Sequence, residues 1–81
     1  MASKDEIFEK VKAIVVEVLG EDVQDKLTMN SHYYNDLGAD SVQWLEIVAT
    51  TEREFKTEIP REILKEFCTI GDTVKFLAAH A

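Results

Sequence analysis

Residues 36–55, DLGADSVQWLEIVATTEREF, join the end of a polar loop to an amphipathic helix. Asp40 is placed as the N-cap of this helix, and Gln43, three residues later, completes a capping-box pattern. The spacing of the apolar residues that follow is that of one helix face and predicts a helix over residues 41–55. Its core-facing stripe consists of Trp44, Ile47, Val48, Thr51 and Phe55.

The same helix carries a second apolar stripe, which consists of Val42, Leu45 and Ala49. This stripe lies about a third of a turn away from the first. A helix in a domain of 81 residues can bury one wide face, so we expect the second stripe to be partly exposed. The alternative is that these side chains complete the core and that the charges around them form an ordinary solvated surface.

A further helix is predicted at the start of the chain. Ser3 and Glu6 form a capping-box pattern before a helix over residues 4–19, and Gly20 is a natural residue to follow its end. The apolar face of this helix consists of Ile7, Val11, Ile14, Val15 and Val18. Residues 20–40 then lack a sustained period, and a connection of this length is usually functional or contains a helical turn of its own.

Two more helices are predicted after the central one. Pro60 suits the first turn of a short helix over residues 61–66. Thr69 and Asp72 form a candidate cap for a last helix over residues 70–79. We therefore predict an all-α fold, a small four-helix bundle with three main helices, one short helix and a long loop after the first helix.

Length and charge exclude several classes of function. With 81 residues the chain forms a single domain, residues 1–81. The 16 acidic side chains against 9 basic ones give a net charge of −7, which argues against nucleic acid or an anionic membrane as a partner. Cys68 is the only cysteine, which excludes an intrachain disulfide, and no apolar run approaches the ~20 residues of a membrane span. Residues 1–10 are polar and acidic, unlike a signal peptide, and we expect a cytoplasmic protein.

Ser41 is the candidate functional residue, because it lies where the loop meets the helix. A hydroxyl at an exposed turn is accessible to another enzyme, and the free N–H groups and positive dipole end of a helix N-terminus suit a phosphodiester. Gly38 leaves the backbone there unhindered by a side chain. Taken alone, a serine at a helix start is more often a capping residue than an attachment site.

A longer motif surrounds this serine and consists of Asp36, Leu37, Gly38, Ala39, Asp40, Ser41 and Val42. The run resembles the Asp-Ser-Leu attachment motif of acyl carrier proteins. The resemblance covers nearly the whole chain, since length, acidity and helix pattern agree with the family. Further matching residues at the expected distance downstream are Glu54, Phe55, Glu58, Ile59 and Pro60.

The resemblance implies a carrier with one covalent cofactor. Ser41 would receive 4′-phosphopantetheine from coenzyme A, and a separate phosphopantetheinyl transferase would catalyse the transfer. The terminal thiol of the cofactor then holds acyl chains as thioesters. The family fold implied is the acyl-carrier helical bundle, and the implied protein is a monomer with no enzymatic activity. The residues themselves predict no metal site, because no set of Cys and His matches a zinc site.

The resemblance also implies a docking surface for acyltransferases, ketosynthases and other acyl-processing enzymes with basic patches. The apolar contact positions are Val42, Leu45 and Ala49. The acidic contact positions are Asp36, Asp40, Glu46 and Glu52. Acidic side chains beside a phosphate are understandable if they must also meet a basic partner.

Several residues depart from the pattern of housekeeping fatty-acid carriers. At four positions where those carriers often have an acidic or neutral residue, this chain has Gln43, Arg53, Lys56 and Arg61. Trp44 and Phe67 are bulky for the inner face, and Thr51 places a hydroxyl there. These departures favour a specialised polyketide or fatty-acid pathway. They also predict that Trp44 fills space that an acyl chain would otherwise use, against the alternative that Trp44 is ordinary core packing.

Two alternatives compete with an acyl carrier. One is a peptidyl or aminoacyl carrier, and the other is an acidic helical interaction module that is never modified. An enzyme is disfavoured, because His32 and His80 have no nucleophile at a spacing that implies a catalytic pair. Cys68 is interpreted as a small packing residue between the last two helices.

Overall fold

The computed structural model describes residues 3–80. Its four α-helices are α1 (Lys4–Leu19), α2 (Ser41–Phe55), α3 (Arg61–Leu64) and α4 (Ile70–His80). A 3₁₀ helix, Glu21–Lys26, follows α1 and occupies the first part of the long loop. The predicted all-α bundle is confirmed, and so is a helical turn within the loop.

Local capping explains why α1 and α2 begin where the sequence predicts. The Ser3 hydroxyl accepts the Glu6 N–H at 3.2 Å. The Asp40 carboxylate accepts the Gln43 N–H at 2.8 Å, and the Gln43 side chain accepts the Asp40 N–H at 3.1 Å. These bonds satisfy N–H groups that a helix start leaves without intrahelical partners.

The short helix α3 is two residues shorter than the predicted range 61–66. The Glu66 N–H bonds the Ile63 carbonyl and the Phe67 N–H bonds the Leu64 carbonyl, so the chain leaves α3 through tight turns with bonds between residues three apart. None of the four residues of α3 is buried. Little tertiary packing is therefore available to extend this helix.

The core lies along α1, which contacts α2, α4 and the 3₁₀ helix. Apolar residues of every long helix meet there with anchors from the loop. The most buried members are Ile7, Val11, Val15, Tyr33, Ile47, Ile70, Val74 and Leu77. Within residues 3–80, no helix is both long and apolar enough to span a membrane.

The loop before α2 is attached to the start of α4 by backbone hydrogen bonds. The Tyr33 N–H bonds the Cys68 carbonyl, the Ile70 N–H bonds the Ser31 carbonyl, and the Gly71 N–H bonds the Met29 carbonyl at 2.8 Å. A Cβ at Gly71 would lie 2.8 Å from the Met29 carbonyl oxygen. Glycine is therefore required where the loop approaches α4 this closely.

Candidate functional site

A compact turn over residues 32–40 leads the chain into α2. The N–H groups of Asp36 and Leu37 both bond the His32 carbonyl at 3.0 Å. Gly38 has a φ of 71°, in the left-handed region that favours glycine. The buried side chains of Leu37 and Ala39 anchor the turn to the core on either side of Gly38. The approach to Ser41 is thereby held in one conformation.

Ser41 is the first residue of α2 and is exposed. The carboxylate of Asp40, not the hydroxyl of Ser41, caps this helix. In the described chain, the Ser41 hydroxyl takes part in no hydrogen bond. The interpretation of Ser41 as a capping residue is therefore wrong, and its hydroxyl is available to another molecule.

The start of α2 also offers an anion a suitable place. The first N–H groups of a helix have no partner within it, and they carry the positive end of its dipole. Asp40 satisfies the N–H of Gln43, and the Asp40 carbonyl accepts the N–H of Trp44. The N–H groups of Ser41 and Val42 precede these positions and remain available beside the Ser41 hydroxyl. A phosphodiester on this hydroxyl fits that environment.

The second apolar stripe of α2 is exposed, as expected. Val42 keeps 65% of its surface in solvent and Leu45 keeps 62%, and both belong to the few large apolar side chains exposed in residues 3–80. Ala49 is exposed as well. The alternative that these residues complete the core is wrong.

The four acidic residues expected at the docking surface differ in what their carboxylates do. Asp36 accepts the backbone N–H of His32 at 2.8 Å, and Asp40 caps α2. Glu52 is half-buried, and its carboxylate accepts the N–H of Ile59 at 2.8 Å. Glu46 is exposed on the outer face of α2. Three of the four therefore hold backbone in place, a role that the sequence pattern did not predict for Asp36 and Glu52.

The C-terminal end of α2 is basic on its outer face. Arg53 and Lys56 are exposed, and Lys56 ends the helix in a left-handed conformation with a φ of 52°. Arg53 has no acid three or four residues away along the helix, whereas Lys56 has Glu52 four residues before it. Glu54 lies on the other side, where it lines a surface cleft with residues of α1. Two exposed basic residues therefore follow Glu46 on the outer face, next to Glu52.

The inner face of α2 is closely packed beside the attachment candidate. Trp44 is half-buried, and its ring centroid lies 4.6 Å from that of Tyr33 and 6.4 Å from that of Tyr34. The cavity between the inner face and the elements opposite has a volume of about 10 Å³. Its lining consists of Tyr33, Trp44, Ile47, Val48, Thr51, Ile59, Phe67 and Thr73.

Hydroxyl groups in this interior are paired. The hydroxyls of Tyr33 and Thr73 lie 2.6 Å apart, and burial raises the pKa of Tyr33, so that its hydroxyl stays protonated. The Thr51 hydroxyl donates to the Ile47 carbonyl at 2.7 Å. The sequence marked Thr51 as unusual, but it gave no signal for the long-range pair between Tyr33 and Thr73.

The other residues with reactive or metal-binding side chains are not grouped into a site within residues 3–80. Cys68 is exposed, so its prediction as a packing residue is wrong. The Cys68 backbone is fixed, because its N–H bonds the Asp72 carboxylate and its carbonyl accepts the Tyr33 N–H, while the side chain points outward. His80 stacks on Phe76 with ring centroids 4.1 Å apart. Over residues 3–80, no three His, Cys, Asp or Glu side chains are grouped so as to hold a metal ion.

Comparison with known families agrees with this geometry. A family model described as "Phosphopantetheine attachment site" matches residues 9–77, which include the turn before α2, all of α2 and most of α4. The match extends over far more than the short motif around Ser41. It confirms the resemblance to acyl carrier proteins and identifies the cofactor as covalently bound 4′-phosphopantetheine. The chain therefore belongs to the phosphopantetheine attachment family, whose members are carriers of this group.

Proposed function

We propose that the 81 residues form a single acyl carrier domain, with 4′-phosphopantetheine attached to Ser41. The observation that carries the proposal is the exposed Ser41 hydroxyl at the start of α2, where Asp40 performs the capping in its place. A hydroxyl with no structural duty is what an attachment residue requires. The family match identifies the attached group as phosphopantetheine.

Loading joins the Ser41 oxygen to the phosphorus that bears the pantetheine arm in coenzyme A. The bond to the leaving phosphate breaks, adenosine 3′,5′-bisphosphate departs, and the hydroxyl proton passes to a base of the transferase. The carboxylate of Asp40 is engaged with the Gln43 N–H and serves the helix rather than this proton transfer. The thiol that the cofactor supplies carries acyl groups as thioesters.

The residues of this chain position and present the group. The turn over residues 32–40 fixes the approach to Ser41, and the first N–H groups of α2 stabilise the negative phosphodiester. We expect the protein to have no catalytic activity of its own. The enzymes that load, extend and release the cargo supply the catalytic groups.

The docking surface proposed for these enzymes is the outer face of α2 with the turn before it. Val42 and Leu45 supply apolar contact area, with Ala49 beside them. Asp36, Asp40, Glu46 and Glu52 supply negative charge toward a basic patch on a transferase, acyltransferase or ketosynthase. The carboxylates that bond backbone N–H groups remain acceptors with a second oxygen, so one residue can hold the loop and face a partner.

Within carriers, we propose a specialised polyketide or fatty-acid pathway in the cytoplasm. Support comes from the basic end of the outer face at Arg53 and Lys56 and from the bulky Trp44 on the inner face. A peptidyl or aminoacyl carrier is the second candidate, because the matched family is defined by its cofactor rather than by its cargo.

The test is the intact mass of the protein after incubation with coenzyme A and a promiscuous phosphopantetheinyl transferase. The wild-type protein should gain the mass of one phosphopantetheine group, and Ser41→Ala should gain none. Ser3→Ala is the matched control, because Ser3 is also an exposed serine at the start of a helix but lies outside the motif around Ser41. A wild-type protein that gains no mass would favour the unmodified interaction module.

A further inference from the structure

The inner neighbours of Ser41 determine where a tethered apolar chain can go. Trp44 lies three residues beyond Ser41 on the same helix, less than one turn away. An acyl chain gains free energy by leaving water, so it enters any apolar space within its reach that is large enough. The interior beside Trp44 is lined mostly by apolar groups, so its volume determines whether an acyl chain can enter.

The capacity of this interior is too small for an acyl chain. Its cavity volume is about 10 Å³. A cavity that holds a single water molecule has a volume of roughly 10–15 Å³ or more. A chain of several methylene groups therefore enters only if a lining side chain moves away.

Trp44 is the lining residue nearest to Ser41 in the chain, and aromatic contacts hold it in place. Its ring centroid lies 4.6 Å from that of Tyr33 and 6.4 Å from that of Tyr34. Tyr33 is 1% exposed, and its hydroxyl is tied to Thr73 on α4 at 2.6 Å. A displaced Trp44 loses packing with one ring that is itself fixed to another helix.

The polar part of the lining also opposes an alkyl chain. The hydroxyls of Tyr33 and Thr73 satisfy each other, and Thr51 donates to the Ile47 carbonyl. A methylene chain inserted between Tyr33 and Thr73 would leave two buried hydroxyls without partners. Buried polar groups without hydrogen bonds are destabilising, so this route is unfavourable as well.

We propose that Trp44, held by Tyr33, closes the bundle and keeps the acyl cargo on the outside of the protein. This inference rests on the proposed attachment of phosphopantetheine to Ser41. It makes Trp44 a specificity-determining residue, since cargo that must stay in water is best tolerated when it is short or polar. The thioester then remains exposed to partner enzymes and to water throughout its lifetime.

The experiment loads saturated C4, C8, C12 and C16 chains on Ser41 from the corresponding acyl-coenzyme A and measures the Tm of each product. The Tm of the loaded wild-type protein should differ by less than about 2 °C between C4 and C16, because no methylene group becomes buried. Trp44→Leu should show a Tm that rises with chain length, by about 5 °C or more for each added pair of buried methylene groups. Intact mass confirms loading at each step.

The matched control is Phe55→Leu. Phe55 is also a half-buried aromatic residue of α2, but it does not line the cavity and instead lies below the Lys10 ammonium. This variant should lower the Tm without introducing any dependence on chain length. A steady rise of the wild-type Tm with chain length overturns the proposal, and so does a Trp44→Leu series that stays flat.

A second arm separates this inference from the attachment itself. Ser41→Cys in a Cys68→Ser background accepts alkyl methanethiosulfonates of the same lengths without any transferase. The same contrast between Trp44 and Trp44→Leu should appear in the Tm series. If the transferase adds no mass to the wild-type protein, only the proposed function is contradicted. The Tm series of the alkylated Ser41→Cys proteins tests the closed bundle independently of that result.

Discussion

The two faces of α2 have similar apolar side chains and opposite environments. On the inner face, Ile47 and Val48 retain 1% and 7% of their exposure, whereas Val42 and Leu45 on the outer face retain 65% and 62%. Burial of the inner pair stabilises the fold, because it removes apolar surface from water. The outer pair contributes little to folding, so its apolar character requires another explanation. Contact with a partner provides one.

The hydroxyls of the same helix repeat this contrast. Thr51 on the inner face donates to the Ile47 carbonyl and is 1% exposed. Ser41 is exposed and has no hydrogen bond among the described residues. The Thr51 hydroxyl is engaged in a hydrogen bond within the helix, whereas the Ser41 hydroxyl is accessible to another molecule. The separation of folding and function within one helix is the basis of the predictions below.

The largest expected effect is the loss of loading in Ser41→Ala. Modification should fall below detection, while the Tm should change by no more than about 2 °C, since the change is at an exposed position and Asp40 keeps the cap. Mass spectrometry and thermal unfolding check the two parts separately. A large decrease in Tm would show that the Ser41 side chain stabilises the fold, as Thr51 does.

Truncations on the two faces should separate by stability. Ile47→Ala should lower the free energy of unfolding by about 2–5 kcal/mol, because it removes a buried side chain from the core. Leu45→Ala should change it by no more than about 0.5 kcal/mol. Urea unfolding measures both. If Ile47→Ala does not fold, Ile47→Val should still cost about 0.5–1.5 kcal/mol. Equal costs on the two faces would contradict the comparison.

A smaller effect is expected at the start of α4, where an acid serves the fold. Partial burial opposes ionisation of Asp72, but hydrogen bonds from the N–H groups of Cys68 and Thr69 prevail and lower its pKa. A lowered pKa means that this stabilisation is present above the unfolded value and is lost as pH falls through the folded value. Asp72→Ala should cost about 0.5–2 kcal/mol at neutral pH.

The measurement for this prediction is thermal unfolding between neutral and acidic pH. The Tm difference between wild type and Asp72→Ala should shrink as the wild-type carboxyl becomes protonated, below the usual range of an aspartate. Glu66→Ala is the control, because Glu66 is exposed and lies just outside α4. A difference that stays constant with pH would show that Asp72 stabilises α4 by packing rather than by its charge.

The smallest effect should appear in the rate at which a cognate enzyme loads the protein. Glu46→Lys reverses an exposed charge on the outer face and should slow association several-fold at low salt. The difference should shrink toward 1 M salt, where the Debye length is about 3 Å instead of about 10 Å at 0.1 M. Glu66→Lys reverses an exposed charge away from α2 and serves as the matched control. Identical salt-dependent slowing by both variants would mean that only net charge matters.

Much of the fold was predictable because its signals are local. The starts of α1 and α2 follow from capping pairs three residues apart, Ser3 with Glu6 and Asp40 with Gln43. The exposed outer stripe followed from the width of one helix face. Ser41 was identified by its short motif, and the structure adds that the serine is free of capping.

The parts that the sequence did not predict depend on contacts between distant residues. The pair between Tyr33 and Thr73 joins residues forty positions apart, and no periodic pattern encodes it. The bond from the Ile59 N–H to Glu52 likewise depends on how the chain turns after α2. Cys68 was misjudged because its backbone bonds, rather than its side-chain chemistry, determine how it is placed.

The attachment of the loop to α4 links the candidate site to the order of protein synthesis. A ribosome releases Ser41 before residues 68–71, yet backbone bonds between those residues and Met29, Ser31 and Tyr33 hold the loop that leads to Ser41. The loop therefore lacks its native partners until α4 has been made. In chains that end before α4, the turn before Ser41 keeps its own internal bonds but lacks these partners. We therefore expect a transferase that recognises the folded turn to load such chains more slowly than chains that include α4.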